Sequence, residues 1–572
     1  MHFFRVWAPA AERVDVKTGN RAWPMKQCAG GWWEAAAEAA GPGTDYGFVL
    51  NDDGAVLPDP RSQWQPHGVH GLSRVPDRKA FAWADGEWRA PELKEAVIYE
   101  LHVGTFTPEG TFAAAAERLE YLKTLGVTHM ELMPVASFPG ERGWGYDGVD
   151  LFAPQESYGG PDALKHFVNA AHAHGLAVLL DVVYNHLGPA GNYLARFGPY
   201  FTGGHHTPWG DAVNLEGAGS DEVRRFFIDN AKMWLRDYHF DGLRLDAVHA
   251  YIDRSAVHFM EQLATEVRAL ERETGRRYAV IAESDLNDPR VVTERERGGY
   301  GMDAQWSDDF HHALFALLTG DLSGYYADFG RMADVAKALR DVFVLDGQYS
   351  AYRERVHGRP VEGLPQWRFL GYAQNHDQVG NRAKGERLNA LVTPGRVKIA
   401  AALVMTGPFV PLIFQGEEWA ASSPFLYFTD HDKELGQLVF EGRKREFAAF
   451  GWRPEEIPNP QAERTFARSK LKWDEIAEPE HAGMLGWYRE LIALRRSESD
   501  FVSSNVTVEF SEEGRWLTMR RGRFAVAFSV APNPVALPVA EGAAIVLRSS
   551  DAVSLAGGML KLDQDSVAVL RT

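Results

Sequence analysis

The sequence predicts an α/β protein: a (β/α)8 barrel of the TIM type, flanked by an amino-terminal and a carboxyl-terminal β-sandwich. Three observations carry that prediction. From Ala96 onward, an apolar strand, a polar turn and an amphipathic helix repeat until eight strands have passed. The run LAVLLDVVYNH (176–186) is almost continuously apolar, as a parallel strand covered on both faces must be. At both ends of the chain the rhythm changes to short alternating strands punctuated by Gly, Pro, Asn and Asp.

In chain order, FFRVWAP, RVDVKT, GWWEAAA and DYGFVLND read as strands of a small sandwich, followed by the Pro-rich connection LPDPRSQWQPHG. A boundary falls inside DGEWRAPELKE, which gives an amino-terminal module over 1–88. The first barrel strand is AVIYELHVGTF, and FAAAAERLEYLKTLGV (112–127) follows it as one helix by its apolar spacing. THMELMPV is the second strand, then ALKHFVNAAHAHG a helix and LAVLLDVVYNH the third strand. In the helix DEVRRFFIDNAKMWLRDY, Ser220 is placed to cap, with Asp221 and Glu222 in the first turn where the helix dipole favours acids. FDGLRLDAV, YAVIAESD, GMDAQW, FLGYAQNHD and VPLIFQGEEW complete the eight, so the barrel spans 89–498. NVTVEFS, RWLTMRR and RFAVAFSV open the carboxyl-terminal sandwich, 499–572.

At 572 residues the chain is too long for a single core. Sixty basic residues against 78 acidic ones give a formal net charge of -18, which argues against nucleic acid or an anionic membrane as partner. With no charged leader ahead of an apolar core and no run of about 20 apolar residues, the expectation is a soluble, cytoplasmic protein. Cys28 is the only cysteine, which rules out an intrachain disulfide and a cysteine-based zinc site. The 17 Trp, 19 Tyr and 32 Phe suit a sugar groove, because pyranose C–H faces stack on aromatic rings while hydroxyls bind polar tips.

The stretch FDGLRLDAVHA (240–250) puts Arg244 and Asp246 two apart in a strand, hence on one face. A guanidinium there keeps a desolvated carboxylate ionised, which suits either a structural ion pair or a nucleophile. The other strand ends decide between them. Asp181, Asn185 and His186 follow the third strand, Arg244, Asp246 and His249 the fourth, Glu283 the fifth, and His376 with Asp377 the seventh. Such a cluster suits glycosidic cleavage with retention, in which one carboxyl attacks the anomeric carbon and a second protonates the leaving oxygen. Asp246 beside Arg244 is the expected nucleophile, Glu283 after the apolar AVIA the expected acid, and Asp377 the third carboxylate. His186, His249 and His376 are expected to bond sugar hydroxyls, and Asp181 to partner Arg244. Neither a metal nor a cofactor is called for, and no dense oxygen-ligand loop accompanies Asn185.

Four segments, DVVYNH (181–186), GLRLDAVHA (242–250), VIAESD (280–285) and QNHDQVGN (374–381), resemble in order the signature segments of the α-amylase superfamily. That resemblance implies Asp246 as nucleophile, Glu283 as acid/base, Asp377 as transition-state stabiliser, and Arg244, Asn185, His186, His249 and His376 as supporting or substrate-binding residues. Tyr146, in GWGYDG, matches the aromatic that stacks under the reacting sugar, and the amino-terminal sandwich resembles glycogen-binding modules. WGYDGVDLFAPQESYGGP, NHLGPAGNYLARFGPYFT and GEEWAASSPFLYFTDH are similar to one branch of that superfamily, the maltooligosyltrehalose trehalohydrolases. The implied substrate is maltooligosyltrehalose, cut to trehalose and a maltooligosaccharide, and the implied functional partner is maltooligosyltrehalose synthase. The loop 187–219 and the insert 417–482 are long and aromatic enough to wall the groove, with Trp209, Tyr193 and Asp285 expected on the trehalose side. A 1,4-α-glucan branching enzyme, which passes the same intermediate to another chain, remains the alternative. A non-catalytic glucan scaffold would show a broken carboxylate triad, and here all three acids are present.

Overall fold

The computed structural model describes residues 1–51, 53–207, 209–448, 452–502 and 505–572. At its centre lies a closed, all-parallel barrel of β1 (Ile98–Leu101), β2 (His129–Leu132), β3 (Ala177–Val182), β4 (Gly242–Leu245), β5 (Ala279–Ala282), β6 (Ala304–Trp306), β7 (Phe369–Tyr372) and β8 (Val410–Phe414). Each of the eight apolar runs forms one strand, and β8 pairs back onto β1 to close the ring. The two faces of these strands serve different cores. Outward residues such as Leu243 and Val280 pack beneath the surrounding helices, whereas Leu179, Ile281, Trp306 and Leu412 fill the lumen.

Two local expectations need correcting. The span 112–127 is not one helix but two, Phe112–Ala116 and Leu119–Leu125. The first ends in tight i→i+3 bonds, with Glu117 N–H donating to the Ala114 carbonyl and Arg118 N–H to that of Ala115, and this turn breaks the α register. Ser220 does not cap the helix Ser220–Asp237 but begins it, and Gly219 occupies the cap position at φ 80°. A side chain is excluded there, since a Cβ would stand 2.9 Å from Pro199. Asp221 and Glu222 do lie in the first turn.

The amino-terminal sandwich sets a three-stranded sheet, containing His2–Trp7 and Trp32–Ala37, against a four-stranded one, containing Val14–Thr18 and Asp45–Leu50. Phe4 and Tyr46 pack ring to ring across the gap at 4.6 Å. Three of its strands, Arg21–Pro24, Lys26–Gln27 and Ser73–Arg74, are too short and polar to be legible in the sequence. A five-stranded and a three-stranded sheet form the carboxyl-terminal module, with Ala525, Leu537, Leu560 and Leu570 between them.

The linker after the first sandwich is pinned beneath the barrel by a buried charge cluster. His172 lies between Asp85 (2.8 Å) and Asp241 (2.9 Å), Arg276 reaches Asp85 at 2.9 Å, and Trp88 stacks on the His172 ring at 4.7 Å. Burial works against charge on His172, yet the two carboxylates hold its pKa above the ordinary value. Burial likewise works against ionised Asp85, and hydrogen bonds from His172, His239 and Arg276 hold it well below the carboxylate range. Among the described residues no helix is long and apolar enough to cross a membrane.

Candidate active site

The carboxyl ends of β3, β4, β5 and β7 converge on one buried guanidinium. Arg244 has no exposed surface, and its plane lies 4.3 Å from the ring centre of Trp306 on β6. Its Nη1 donates to Asp181 Oδ2 at 2.8 Å and to Asp246 Oδ1 at 2.7 Å, and Nη2 stands 3.8 Å from Glu283 Oε2. The other oxygen of Asp246 accepts from Asn185 Nδ2 at 3.0 Å. Asp246 is therefore held at both oxygens by donors, the setting an aimed carboxylate requires.

Glu283 is held differently. Its Oε2 accepts the backbone N–H of Ala247 at 2.5 Å, and Ala247 itself takes a left-handed φ of 40°. Burial is the main reason that the Glu283 pKa lies well above the ordinary carboxylate range; Arg244 pulls it down, and the nearby Asp246, Asp308 and Asp377 push it up. The two acids thus sit on opposite flanks of one cation, one fixed as an acceptor and the other desolvated enough to keep a proton.

Below Asp377, His376 is buried with Nδ1 2.5 Å from Glu100 Oε1 and Nε2 3.4 Å from Asp377 Oδ1. Burial lowers its proton affinity, but the Asp377 and Glu100 carboxylates outweigh this and lift its pKa to about 9. The Tyr146 hydroxyl donates to Asp181 at 2.6 Å and lies 2.7 Å from His376 Nε2, with the two rings stacked at 5.2 Å. Burial also raises Asp181, to about 6, in spite of Arg244.

Over these groups opens a cavity of about 490 Å³ whose wall includes Tyr146, His186, Asp246, His249, Glu283 and Asp377. Trp209 stands at its edge, half exposed and stacked nearly parallel on His186 at 4.6 Å. Arg244, Asn185 and His376 are behind the wall, where they position carboxylates instead of facing the cavity. Asp285 is beside it, paired with Arg353 at 3.2 Å and 4.0 Å from His249. Tyr193 does not belong to this wall. Its hydroxyl bonds His70 of the amino-terminal module at 2.8 Å, because the loop bends there toward the sandwich.

Sequence reasoning passed over several residues that the fold brings in. Glu100, a lone acid in the apolar IYEL, was a signal of that kind, and so were the acids of SDD after β6, where burial pushes Asp308 up to about 7. Tyr427, Val439 and Arg443 reach the cavity from the insert 417–482, with Arg443 on the helix Lys433–Ala448. No local pattern announces them, since their position depends on how the insert folds back.

Comparison with known proteins agrees with this geometry. Residues 73–198 match the model of the alpha amylase catalytic domain, and residues 2–62 that of carbohydrate-binding module 48, the isoamylase amino-terminal domain. A crystal structure from Salmonella typhimurium, described as an alpha amylase, superposes with a TM-score of 0.92 at 38% identity, over 100% of this chain and 97% of that one. Fold and site together define an α-amylase-type glycoside hydrolase. Malto-oligosyltrehalose trehalohydrolase from Rhizobium sp. (strain M-11) is 49% identical over 99% of this chain and 97% of its own. The protein of the same name from Mycobacterium tuberculosis (strain ATCC 25618 / H37Rv) is 48% identical over 94% of each. The chain belongs to the malto-oligosyltrehalose trehalohydrolase family.

Proposed function

We propose that Asp246, Glu283 and Asp377 are the catalytic carboxyls of a retaining, two-step hydrolysis. The chain is a trehalose-releasing glycoside hydrolase, cutting the α-1,4 bond beside the terminal trehalose of maltooligosyltrehalose to give trehalose and a maltooligosaccharide. Asp246 attacks the anomeric carbon, and the bond to the trehalose oxygen breaks as that oxygen takes the proton of Glu283. Water then attacks the same carbon, gives its proton to Glu283 and frees Asp246. Asp377 faces the charge that develops on the ring, and Tyr146, His186, His249 and Trp209 supply stacking and hydrogen bonds to the glucan. We assign Asp285, beside His249, to the trehalose side.

The observation that carries this reading is the pair of acids flanking Arg244. Glu283 binds the amide of the residue next to Asp246, which supports the short carboxyl spacing of double displacement over the wider gap that inversion needs. A synthase that converts the reducing end of a glucan into trehalose belongs upstream, and we place both reactions in the cytoplasm, a reducing compartment that suits a chain with Cys28 alone. We divide the chain at 1–88, 89–498 and 499–572.

The test is product analysis after incubation with maltotriosyltrehalose and, separately, maltopentaose. Trehalose and maltotriose from the first, with the maltotriose released as the α-anomer by proton NMR, match the proposal. Release of the β-anomer would refute retention, and branched products without trehalose would restore the branching alternative.

A further inference from the structure

The loop 187–219 leaves the end of β3 and carries Trp209, yet its first half packs on the amino-terminal sandwich, where Tyr193 meets His70 and Phe197 meets Phe48. Trp7, 4% exposed, wedges its indole beneath the base of the hairpin Phe201–Thr207/Gly210–Val213 and meets the Tyr200 ring edge to face at 5.3 Å. Gly198 permits this, because a Cβ on it would stand 2.6 Å from Trp7 Cζ3. A second close approach lies at Gly191, where a Cβ would be 2.4 Å from Val69. From Tyr200 the hairpin leads directly to the cavity: Asn214 N–H bonds the Tyr200 carbonyl at 2.8 Å, the two strands pair, and Trp209 at the tip stacks on His186. His186 in turn lies 2.6 Å from Asn185, which holds Asp246. Elsewhere on the sandwich, Arg21 lies over the Trp23 indole at 3.5 Å and Arg5 over that of Trp32 at 4.2 Å, so a cation occupies one face of each ring.

We propose that the amino-terminal module serves the reaction as an anchor for this loop, and that Trp7 is a positioning residue acting through the Tyr200 hairpin on the Trp209–His186 stack that walls the substrate cavity. The inference rests on the reading of Trp209 as a substrate contact. A module at the far end of the loop thereby sets how tightly the cavity grips its glucan, without itself touching sugar. Rigid support of this kind lowers the ordering cost of binding, so its loss appears in KM before kcat.

The experiment measures KM and kcat on maltotriosyltrehalose for full-length Trp7→Leu, Trp7→Phe, Gly198→Ala, Trp209→Ala and the double variant Trp7→Leu/Trp209→Ala. Trp7→Leu is expected to raise KM roughly fivefold, the worth of one misplaced ring contact, with kcat changed less than about twofold. Gly198→Ala, which lifts the loop without opening the module core, should move KM the same way, and Trp7→Phe should largely restore it. In the Trp209→Ala background, Trp7→Leu should add nothing, since a positioning residue cannot act through a ring that is gone. Val16→Ala, a cavity in the same module's core away from the loop, controls for stability and should leave KM unchanged. Additive effects in the double variant, or an equal KM rise in Val16→Ala, would overturn the proposal. If Trp209→Ala raises KM while Trp7→Leu and Gly198→Ala do not, anchoring fails and the site reading stands. If Trp209→Ala is itself silent, both fall.

Discussion

Replacing Glu283 with Gln separates the proton that we propose it supplies from the contacts it makes. The amide is isosteric, and its carbonyl still accepts the Ala247 N–H that now holds Oε2 at 2.5 Å. What disappears is the dissociable proton and a distant pairing with Arg244 at 3.8 Å. Because burial already favours the neutral carboxyl, exchanging it for a neutral amide should change stability by no more than about 1 kcal/mol. Activity should respond quite differently. General acid catalysis is worth about 10²–10⁴-fold, or roughly 3–5 kcal/mol of barrier, and a trehalose alkoxide is a poor leaving group without it. On α-maltotriosyl fluoride, whose leaving group needs no proton, Asp246 should still be glycosylated at close to the normal rate. Azide, which needs no general base, should then resume turnover and give the α-azide. A Glu283→Gln protein that keeps more than about a tenth of its activity on maltotriosyltrehalose, or that gains nothing from the fluoride and azide, would refute the assignment.

Asp246→Asn should lose activity by on the order of 10⁴-fold or more, and neither the fluoride nor azide should rescue it, since the attacking oxygen itself is altered; rescue would exchange the two roles. His376, with a pKa raised from 6.5 to about 9, contributes stability that is complete below pH 6.5 and lost as pH rises through 9. The difference amounts to about 3 kcal/mol, so denaturant midpoints should fall across that window in the parent and not in His376→Gln, and parallel slopes would refute it. Trp209→Ala should raise KM for maltotriosyltrehalose several-fold more than for maltopentaose, about 1 kcal/mol of selectivity, and an equal effect on both would remove Trp209 from the trehalose side. Asp85→Ala leaves His239 and Arg276 without their carboxylate and His172 with Asp241 alone, and should cost about 3–5 kcal/mol in equilibrium unfolding without altering kcat on the enzyme that remains folded.

The parts of this molecule that were legible in the sequence are those whose physics is local. Most barrel strands declared themselves through a short, largely apolar run, and the parity of Arg244 and Asp246 placed both on one face before any neighbour was known. Asp181 was likewise legible as the partner of Arg244, and the two meet at 2.8 Å. What was hidden depends on contacts distant in sequence. Glu100 meets His376 across 276 positions, Arg443 returns from the insert to the cavity, and Tyr193 turns from the site because His70 lies on the sandwich side of its loop. The helix broken after Ala116 and the displaced cap at Ser220 failed for a smaller reason. Propensity and spacing do not see a turn tightening into i→i+3 bonds, or a glycine needed where Pro199 leaves no room.

The lumen of the barrel also explains why its acids behave unlike one another. Around the catalytic end stand the carboxyls of Glu100, Glu131, Asp181, Asp246, Glu283, Asp308 and Asp377; Arg244 and His376 are the buried cations among them, and Arg443 lines the cavity above. Carboxyls outnumber cations in this desolvated space, which favours some of them keeping their protons. Geometry determines which. Asp246 takes a donor on each oxygen, and Glu100 holds both the ring and the backbone N–H of His376. Glu131 has no hydrogen-bond partner among the described residues, Asp308 has the Tyr372 hydroxyl, and Glu283 has one amide; burial raises all three. The acid role proposed for Glu283 therefore needs no dedicated device: burial and a shortage of donors already favour its neutral form. The same excess of acid over base meets the cationic sugar ring of the transition state, and a neutral glucan in the ground state feels far less of it, which is the difference on which catalysis depends.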